Sequence, residues 1–294
     1  MKKKVAVLGI NGGFGRLFSG LLFGEKQLTI TGVDLGHDPD PSSKFSKYIQ
    51  ADLGIVNEGI RLLVAASDVI IICLPEGITY KFLELYKDDI SKTALLVDTL
   101  SIKREISSIY IDNDFNALSL NPMFGPDLEI EGKNIIVIKS KETAISSWFI
   151  ALLEAWKLNI VYATSEQHDK MSSLIQVATH AAIISFGMTL NNFDIPLTQL
   201  LKIATPPFYN ISALFGRIVS GNKKVYWNIQ NENIYASGMR KELIRNLIAL
   251  DKCIDDGRED DFNELIESTE DQKKALKELS DHFLLVFKQN NNDK

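Results

Sequence analysis

Val69-Ile70-Ile71-Ile72-Cys73-Leu74 is apolar at every position and is stopped by Pro75. A strand with one solvated face alternates polar and apolar residues. A run that never alternates belongs to a strand covered on both faces, as in a parallel sheet flanked by helices. Similar runs recur at Val5–Leu8, at Ala94–Val97 ending in Asp98 and at Ile135–Ile138, and Leu28–Val33 ending in Asp34 and Phe115–Leu120 read as further strands. Helical patterns such as Arg16–Phe23 separate them. The alternation predicts an α/β fold with a doubly wound parallel sheet.

The pattern changes after Ile160-Val161-Tyr162-Ala163. Thr164 with Gln167 has the spacing of a capping box, and apolar residues then recur at helical spacing to about Leu190. Pro206-Pro207 suits the first turn of another helix, and Leu243–Cys253 and Phe262–Lys288 read as amphipathic helices. The acidic stretch Asp255–Asp261 reads as a solvated linker, and Gln289–Lys294 as a tail that frays. Two domains are therefore expected, residues 1–163 around the sheet and residues 164–294 all helical.

Net charge is -6, which disfavours nucleic acid or an anionic membrane as the main partner and leaves room for a local basic pocket that takes a small acid. The apolar run after Met1-Lys2-Lys3-Lys4 is shorter than the roughly 7–15 residues of a secretion signal. No run is expected to reach the ~20 apolar residues of a membrane span. Cys73 and Cys253 supply neither a disulfide framework nor a zinc spacing, so a reducing, cytoplasmic setting is expected. His37-Asp38-Pro39-Asp40 reads as a polar loop, and no metal is expected.

Gly9-Ile10-Asn11-Gly12-Gly13-Phe14-Gly15 joins the first strand to the first helix. Glycines let a backbone turn sharply and approach a pyrophosphate, and the helix N-terminus supplies free amides and a positive dipole end. Asp34 lies 19 residues after Gly15, at the end of the second strand, where a carboxylate binds ribose hydroxyls and repels a 2′-phosphate. This is a Rossmann-type pattern favouring NAD over NADP. The expected cofactor contacts are Gly9, Asn11, Gly12, Gly13, Phe14, Gly15 and Asp34, with Leu74, Pro75 and Thr99 at the ends of later strands.

Three further segments narrow the reading: Asp98-Thr99-Leu100-Ser101-Ile102-Lys103, Asn121-Pro122-Met123-Phe124-Gly125-Pro126, and Thr164-Ser165-Glu166-Gln167-His168-Asp169 followed by Met171 and Gln176. Ala204-Thr205-Pro206-Pro207-Phe208 and Val225-Tyr226-Trp227-Asn228-Ile229 follow in order. Together with the glycine loop they resemble the prephenate dehydrogenase family, which includes arogenate and 4-amino-4-deoxyprephenate dehydrogenases. No chorismate mutase segment precedes the glycine loop, so the resemblance is to the unfused form.

The resemblance implies oxidative decarboxylation of a 1,4-cyclohexadiene: hydride leaves C4 for NAD and the ring carboxylate leaves as carbon dioxide. It places Ser101 near the C4 substituent, His180 in the substrate cleft, and Arg217 on the ring carboxylate, which a guanidinium grips bidentately. It implies that the helical domain dimerises, with the cleft between the domains. Plainer readings stand beside these: Ser101 as a loop or capping serine, His180 as a packing histidine, Arg217 as a surface arginine. His168-Asp169 reads as a helix-start feature.

One position departs from the resemblance. Members acting on prephenate or arogenate carry histidine where this chain has Asn121, and that histidine accepts the C4 hydroxyl proton. An amide takes no proton at neutral pH. An amine at C4 needs no such base, because its lone pair drives the hydride off. Asn121 in this respect resembles the 4-amino-4-deoxyprephenate branch. Prephenate or arogenate as substrate, and a degenerate NAD-binding sensor, are the alternatives.

Overall fold

The computed structural model describes the backbone of residues 2–292 and side chains as far as residue 283. The chain forms two compact units, Met1–Met171 and Ser172–Lys294.

The first unit runs β1 (Lys3–Leu8), α1 (Gly13–Phe23), β2 (Leu28–Asp34), β3 (Lys47–Gln50), α2 (Glu58–Ala66), β4 (Val69–Ile72), α3 (Glu76–Tyr86), β5 (Leu95–Asp98), α4 (Arg104–Asp112), β6 (Asn116–Pro122), β7 (Asn134–Lys139), α5 (Ala144–Ala155), β8 (Asn159–Tyr162) and α6 (Ser165–Ser172). The eight strands lie in the order β3-β2-β1-β4-β5-β6-β7-β8. Successive side chains on a strand point to opposite faces. Val5 and Val7 accordingly join Ile71, Val97, Phe18 and Phe149 on one face, while Ala6 and Leu8 join Ile70, Ile72, Phe82 and Tyr86 on the other. Two cores, one on each face, explain why these strands are apolar throughout.

Two details differ from the sequence expectation. β7 pairs antiparallel to β6, in an otherwise parallel sheet. β3 was not expected from the sequence, because its four residues Lys47–Gln50 sit at the sheet edge and none is buried.

The second unit begins with a π-helical segment, Ser173–Ala178, followed by α7 (Thr179–Asn191), α8 (Leu197–Leu200), a 3-10 turn, α9 (Pro206–Ser220), α10 (Lys223–Glu232), α11 (Ala236–Asp255), α12 (Glu259–Leu265) and α13 (Glu270–Asn292). Its buried apolar cluster is Val177, Ile229 and Ala236, with Met239 packed against it. The helical stretch Ser165–Asn191 is long and apolar enough, by length and composition only, to cross a membrane, although it carries Glu166, His168, Asp169 and Lys170 and contains no unbroken run of ~20 apolar residues. The acidic linker is also shorter than expected. α11 reaches Asp255 and α12 starts at Glu259, because Glu259, Asp260 and Asp261 suit the positive end of a helix dipole. The single helix expected over Phe262–Lys288 is broken between Leu265 and Glu270. α13 continues to Asn292, into the tail Gln289–Lys294 that was expected to fray, and residues 293–294 lie outside the described residues.

Candidate active site

The strand order reverses direction between β1 and β4, and in open α/β sheets ligands bind at the carboxyl ends of strands at such a switch point. A cavity of about 430 Å3 opens there. Gly9, Asn11, Gly12, Asp34, Leu74 and Pro75 line it, six of the ten residues expected to meet a cofactor. Gly9 has φ +76, and a Cβ there would lie 2.3 Å from the Cys73 carbonyl oxygen. Only glycine brings β1 and β4 this close at the turn.

The remaining expected cofactor residues shape the turn from outside the cavity wall. A Cβ on Gly15 would lie 2.1 Å from the Gly9 carbonyl oxygen, so Gly15 lets α1 start against the loop. Gly13 packs on Pro126, and Phe14 meets Phe124 edge-on with ring centroids 6.3 Å apart. The Thr99 amide donates to the Ile72 carbonyl at 3.3 Å, tying the β5 exit to the end of β4.

Asp34 Oδ2 accepts from the Asn11 amide at 2.9 Å. The Asn11 side chain in turn accepts from the Asp40 amide at 2.9 Å, and Arg16 donates to the Asn11 carbonyl at 2.6 Å. The polar loop after β2 is thus stitched to the glycine turn. A carboxylate oxygen holds two lone pairs, so Asp34 keeps acceptor capacity for a hydroxyl after these bonds.

A second constellation lies deeper in the same unit. Lys103 is fully buried; its ammonium donates to Asp98 Oδ1 at 2.9 Å and to the Leu120 carbonyl at 2.7 Å. The other Asp98 oxygen accepts from the Tyr110 hydroxyl at 3.1 Å. Burial pushes the Lys103 ammonium below its ordinary pKa, opposed by Asp98 beside it. Ser101 sits between these two tied residues, so its loop is anchored at both ends.

His168 and Asp169 lie near the start of α6, as read from the sequence, and their side chains also join this network. Both are buried. Asp169 accepts from the Lys103 amide at 3.0 Å and from the Arg104 amide at 3.1 Å. His168 Nδ1 lies 2.7 Å from Asp169 Oδ1, and its Nε2 lies 2.8 Å from Asn121 Nδ2. Burial lowers the His168 pKa, while Asp169 opposes the shift. Asn121, Leu120, Lys103, Asp98, His168 and Asp169 are therefore one connected polar core. Sequence reading reached Asn121 and Ser101 but missed the lysine and the His–Asp pair. The available signal was Lys103, a lysine five residues after a strand-ending aspartate.

His180 and Arg217 belong to the second unit. His180 is half-buried in α7, directly after the π segment, a distortion frequent at functional sites. Its ring meets Tyr226 edge-on at 5.0 Å, and Nδ1 is buried with no hydrogen-bond partner among the described residues. Desolvation lowers its pKa, so the ring is neutral near pH 7. Arg217 is exposed on α9 and has no ion pair among the described residues.

A Rossmann-type unit with a shaped crevice at its switch point, followed by a helical unit, defines a two-part dehydrogenase architecture. Residues 164–268 match the family model of the prephenate dehydrogenase dimerization domain. The chain is 28% identical over 261 residues to the 4-amino-4-deoxyprephenate dehydrogenase of Streptomyces pristinaespiralis, covering 88% of this chain and 87% of that protein. It is 27% identical to a Haemophilus influenzae T-protein over 58% of this chain, spanning 47% of that longer protein. Its fold resembles prephenate dehydrogenase from A. aeolicus in complex with hydroxyphenyl propionate and NAD+ (TM-score 0.71, 18% identity, 97% of this chain and 99% of that one). It also resembles Synechocystis arogenate dehydrogenase (TM-score 0.68, 17% identity, 93% and 99%). The family that the motifs resemble is the one named by these similar proteins.

Proposed function

We propose that this chain is an NAD-dependent dehydrogenase that oxidatively decarboxylates a prephenate-type cyclohexadiene, with 4-amino-4-deoxyprephenate as substrate and 4-aminophenylpyruvate as product. The observation that carries the choice is Asn121. It occupies the family's base position as a buried amide hydrogen-bonded to His168.

The crevice suits NAD: the glycine turn leaves room for a pyrophosphate at the start of α1, and Asp34 stands at the rim as an acceptor for ribose hydroxyls. When bound, NAD supplies the hydride acceptor. Arg217 grips the ring carboxylate, while Ser101 and His180 contact the substrate around C4 and its ring. Asn121 accepts an N–H of the C4 amine and orients it. No side chain removes a proton in the hydride step, because the neutral amine's lone pair provides the push. Loss of the carboxylate as carbon dioxide then restores the aromatic ring.

Exposed Ile244, Leu247 and Ile248 form a stripe along α11, which a second copy of the chain would cover in a homodimer. Cys73 and Cys253 are both free thiols, as suits a cytoplasmic enzyme. A second reading, prephenate or arogenate as substrate, draws on one observation: His168, paired with Asp169, stands 2.8 Å from Asn121.

The test is NADH formation with prephenate, arogenate and 4-amino-4-deoxyprephenate in parallel. The amino compound is expected to lead in kcat/KM by about 100-fold or more, the scale of a missing general base. Asn121→His should shift preference toward prephenate. A lead for prephenate in the wild type would sink the amine reading. NAD binding with no reduction by any of the three would indicate a sensor.

A further inference from the structure

We propose that His168 and Asp169 are positioning residues that fix the Asn121 side-chain amide with its oxygen, not its nitrogen, presented to the substrate. The consequence for amine oxidation rests on the function proposed above; the orientation itself does not.

The orientation follows from a chain of hydrogen-bond roles. The Asp169 carboxylate reaches from α6 to the start of α4, where its two oxygens take the Lys103 and Arg104 amides. A helix N-terminus favours a carboxylate there. Oδ1 also faces His168 Nδ1 at 2.7 Å, so that ring nitrogen must carry the hydrogen. A neutral imidazole with Nδ1 protonated has Nε2 as an acceptor. Nε2 lies 2.8 Å from Asn121 Nδ2, and the amide NH2 donates into it. Turning the amide over would set two acceptors against each other in a site where Asn121 and His168 are almost wholly shielded from solvent (3% and 0% exposed). The donor end of Asn121 is thereby committed to His168, and the carbonyl end is what remains to meet a ligand. An amide oxygen accepts from an amine N–H, the interaction the proposed substrate offers.

The same chain gives a pH dependence. The charged groups acting on His168 are Asp169 on its own helix, and Lys103 and Asp98 at the end of β5 and the loop after it. Burial and Lys103 disfavour the imidazolium, and Asp169 and Asp98 favour it. The net direction is below the ordinary value of about 6.5. Once protonated, His168 has no acceptor left, and the Asn121 amide must turn its oxygen inward. Amine oxidation should therefore fall as pH drops through that pKa and hold above it.

The deciding experiment is long-range 15N–1H NMR of the imidazoles in the full-length protein near pH 8, with His168 assigned by its absence in His168→Gln. The expected signature is a neutral ring protonated at Nδ1; a ring protonated at Nε2 overturns the proposal. Kinetics give the second arm. His168→Leu removes the acceptor and should lower kcat/KM for the amino substrate by about 100-fold, the scale of a misplaced reacting group. Its affinity for NAD and its melting profile separate this from misfolding. His168→Gln restores an acceptor without a titrating ring, and should recover most of the rate and lose the acid limb. A His168→Leu enzyme that folds, binds NAD and keeps wild-type kcat/KM and pH profile would also overturn the proposal. If the Nδ1 tautomer is found but no cyclohexadiene is oxidised, the proposed function fails and the positioning role stands.

Discussion

The two units turn their apolar residues in opposite directions. In the first, β1, β4 and β5 are buried on both faces, and the sheet is sealed between Phe82 and Tyr86 on one side and Phe18 and Phe149 on the other. In the second, Leu174, Met188, Leu214, Trp227, Leu247 and Ile248 are all exposed, and among the described residues the buried apolar cluster is Val177, Ile229 and Ala236, with Ala178, Ile183, Ile218 and Cys253 also buried. Burying a large aliphatic side chain contributes roughly 1.5–3 kcal/mol. The first unit gains this within one chain. The second leaves much of it ungained among the described residues, as the proposed homodimer requires. The contrast predicts that one unit's weak points are internal backbone contacts and the other's lie at an interface.

Two glycines test this most severely. A side chain at Gly15 would meet backbone, the Gly9 carbonyl oxygen at 2.1 Å and Ile10 Cα at 2.8 Å. Gly15→Val should abolish NAD binding and destabilise the first unit by roughly 3 kcal/mol or more, read by calorimetry and by titration with NAD. A side chain at Gly187, on α7, would meet the Phe215 ring, also at 2.1 Å. A ring can swing aside where a strand turn cannot. Gly187→Ala should cost about 1–3 kcal/mol and leave NAD affinity unchanged. Equal penalties at the two sites would erase the distinction between the units.

Next in size is the interface. Leu247→Glu places a charge in the middle of the α11 stripe, where Leu247 is 64% exposed in the single chain. A soluble monomer would accept this change silently. The proposed dimer should dissociate, seen as a halved mass in light scattering at micromolar concentration, while the first unit still binds NAD. An unchanged dimer would move the interface elsewhere on the helices.

The same contrast explains what was legible in sequence. Strands apolar at every position announce themselves, so Val5–Leu8 and the run from Val69 marked the sheet, and the glycine loop with Asp34 marked the crevice. β3 was invisible because an exposed four-residue edge strand has no pattern to impose. The Lys103–Asp98 pair and the His168–Asp169 pair were illegible for a different reason. Charged residues read as solvated faces, and only tertiary structure shows that Lys103 is sealed at 0% exposure with both its partners in place. Asn121 was found by its departure from a motif, but its hydrogen bond to His168, 47 residues later, depends on folding.

The smallest expected effect lies at Lys157, and it checks whether the first unit is rigid everywhere or only where it is buried. Lys157 follows α5 with φ +59, a left-handed conformation that costs a non-glycine residue roughly 1 kcal/mol. Lys157→Gly removes that strain but adds backbone freedom to the unfolded chain, worth about 0.4–1 kcal/mol in the opposite sense. It also removes an exposed ion pair with Glu131 at 2.8 Å, worth at most about 0.5 kcal/mol at such exposure. The amide and carbonyl of residue 157, bonded to Glu154 and Gly132, are untouched. The contributions nearly cancel, so the melting transition of the first unit should move by no more than the equivalent of about 0.5 kcal/mol. A much larger loss would mean that surface contacts, and not the two sheathed faces of the sheet, hold the first unit together. The contrast between an inward-facing and an outward-facing unit would then no longer account for their stabilities.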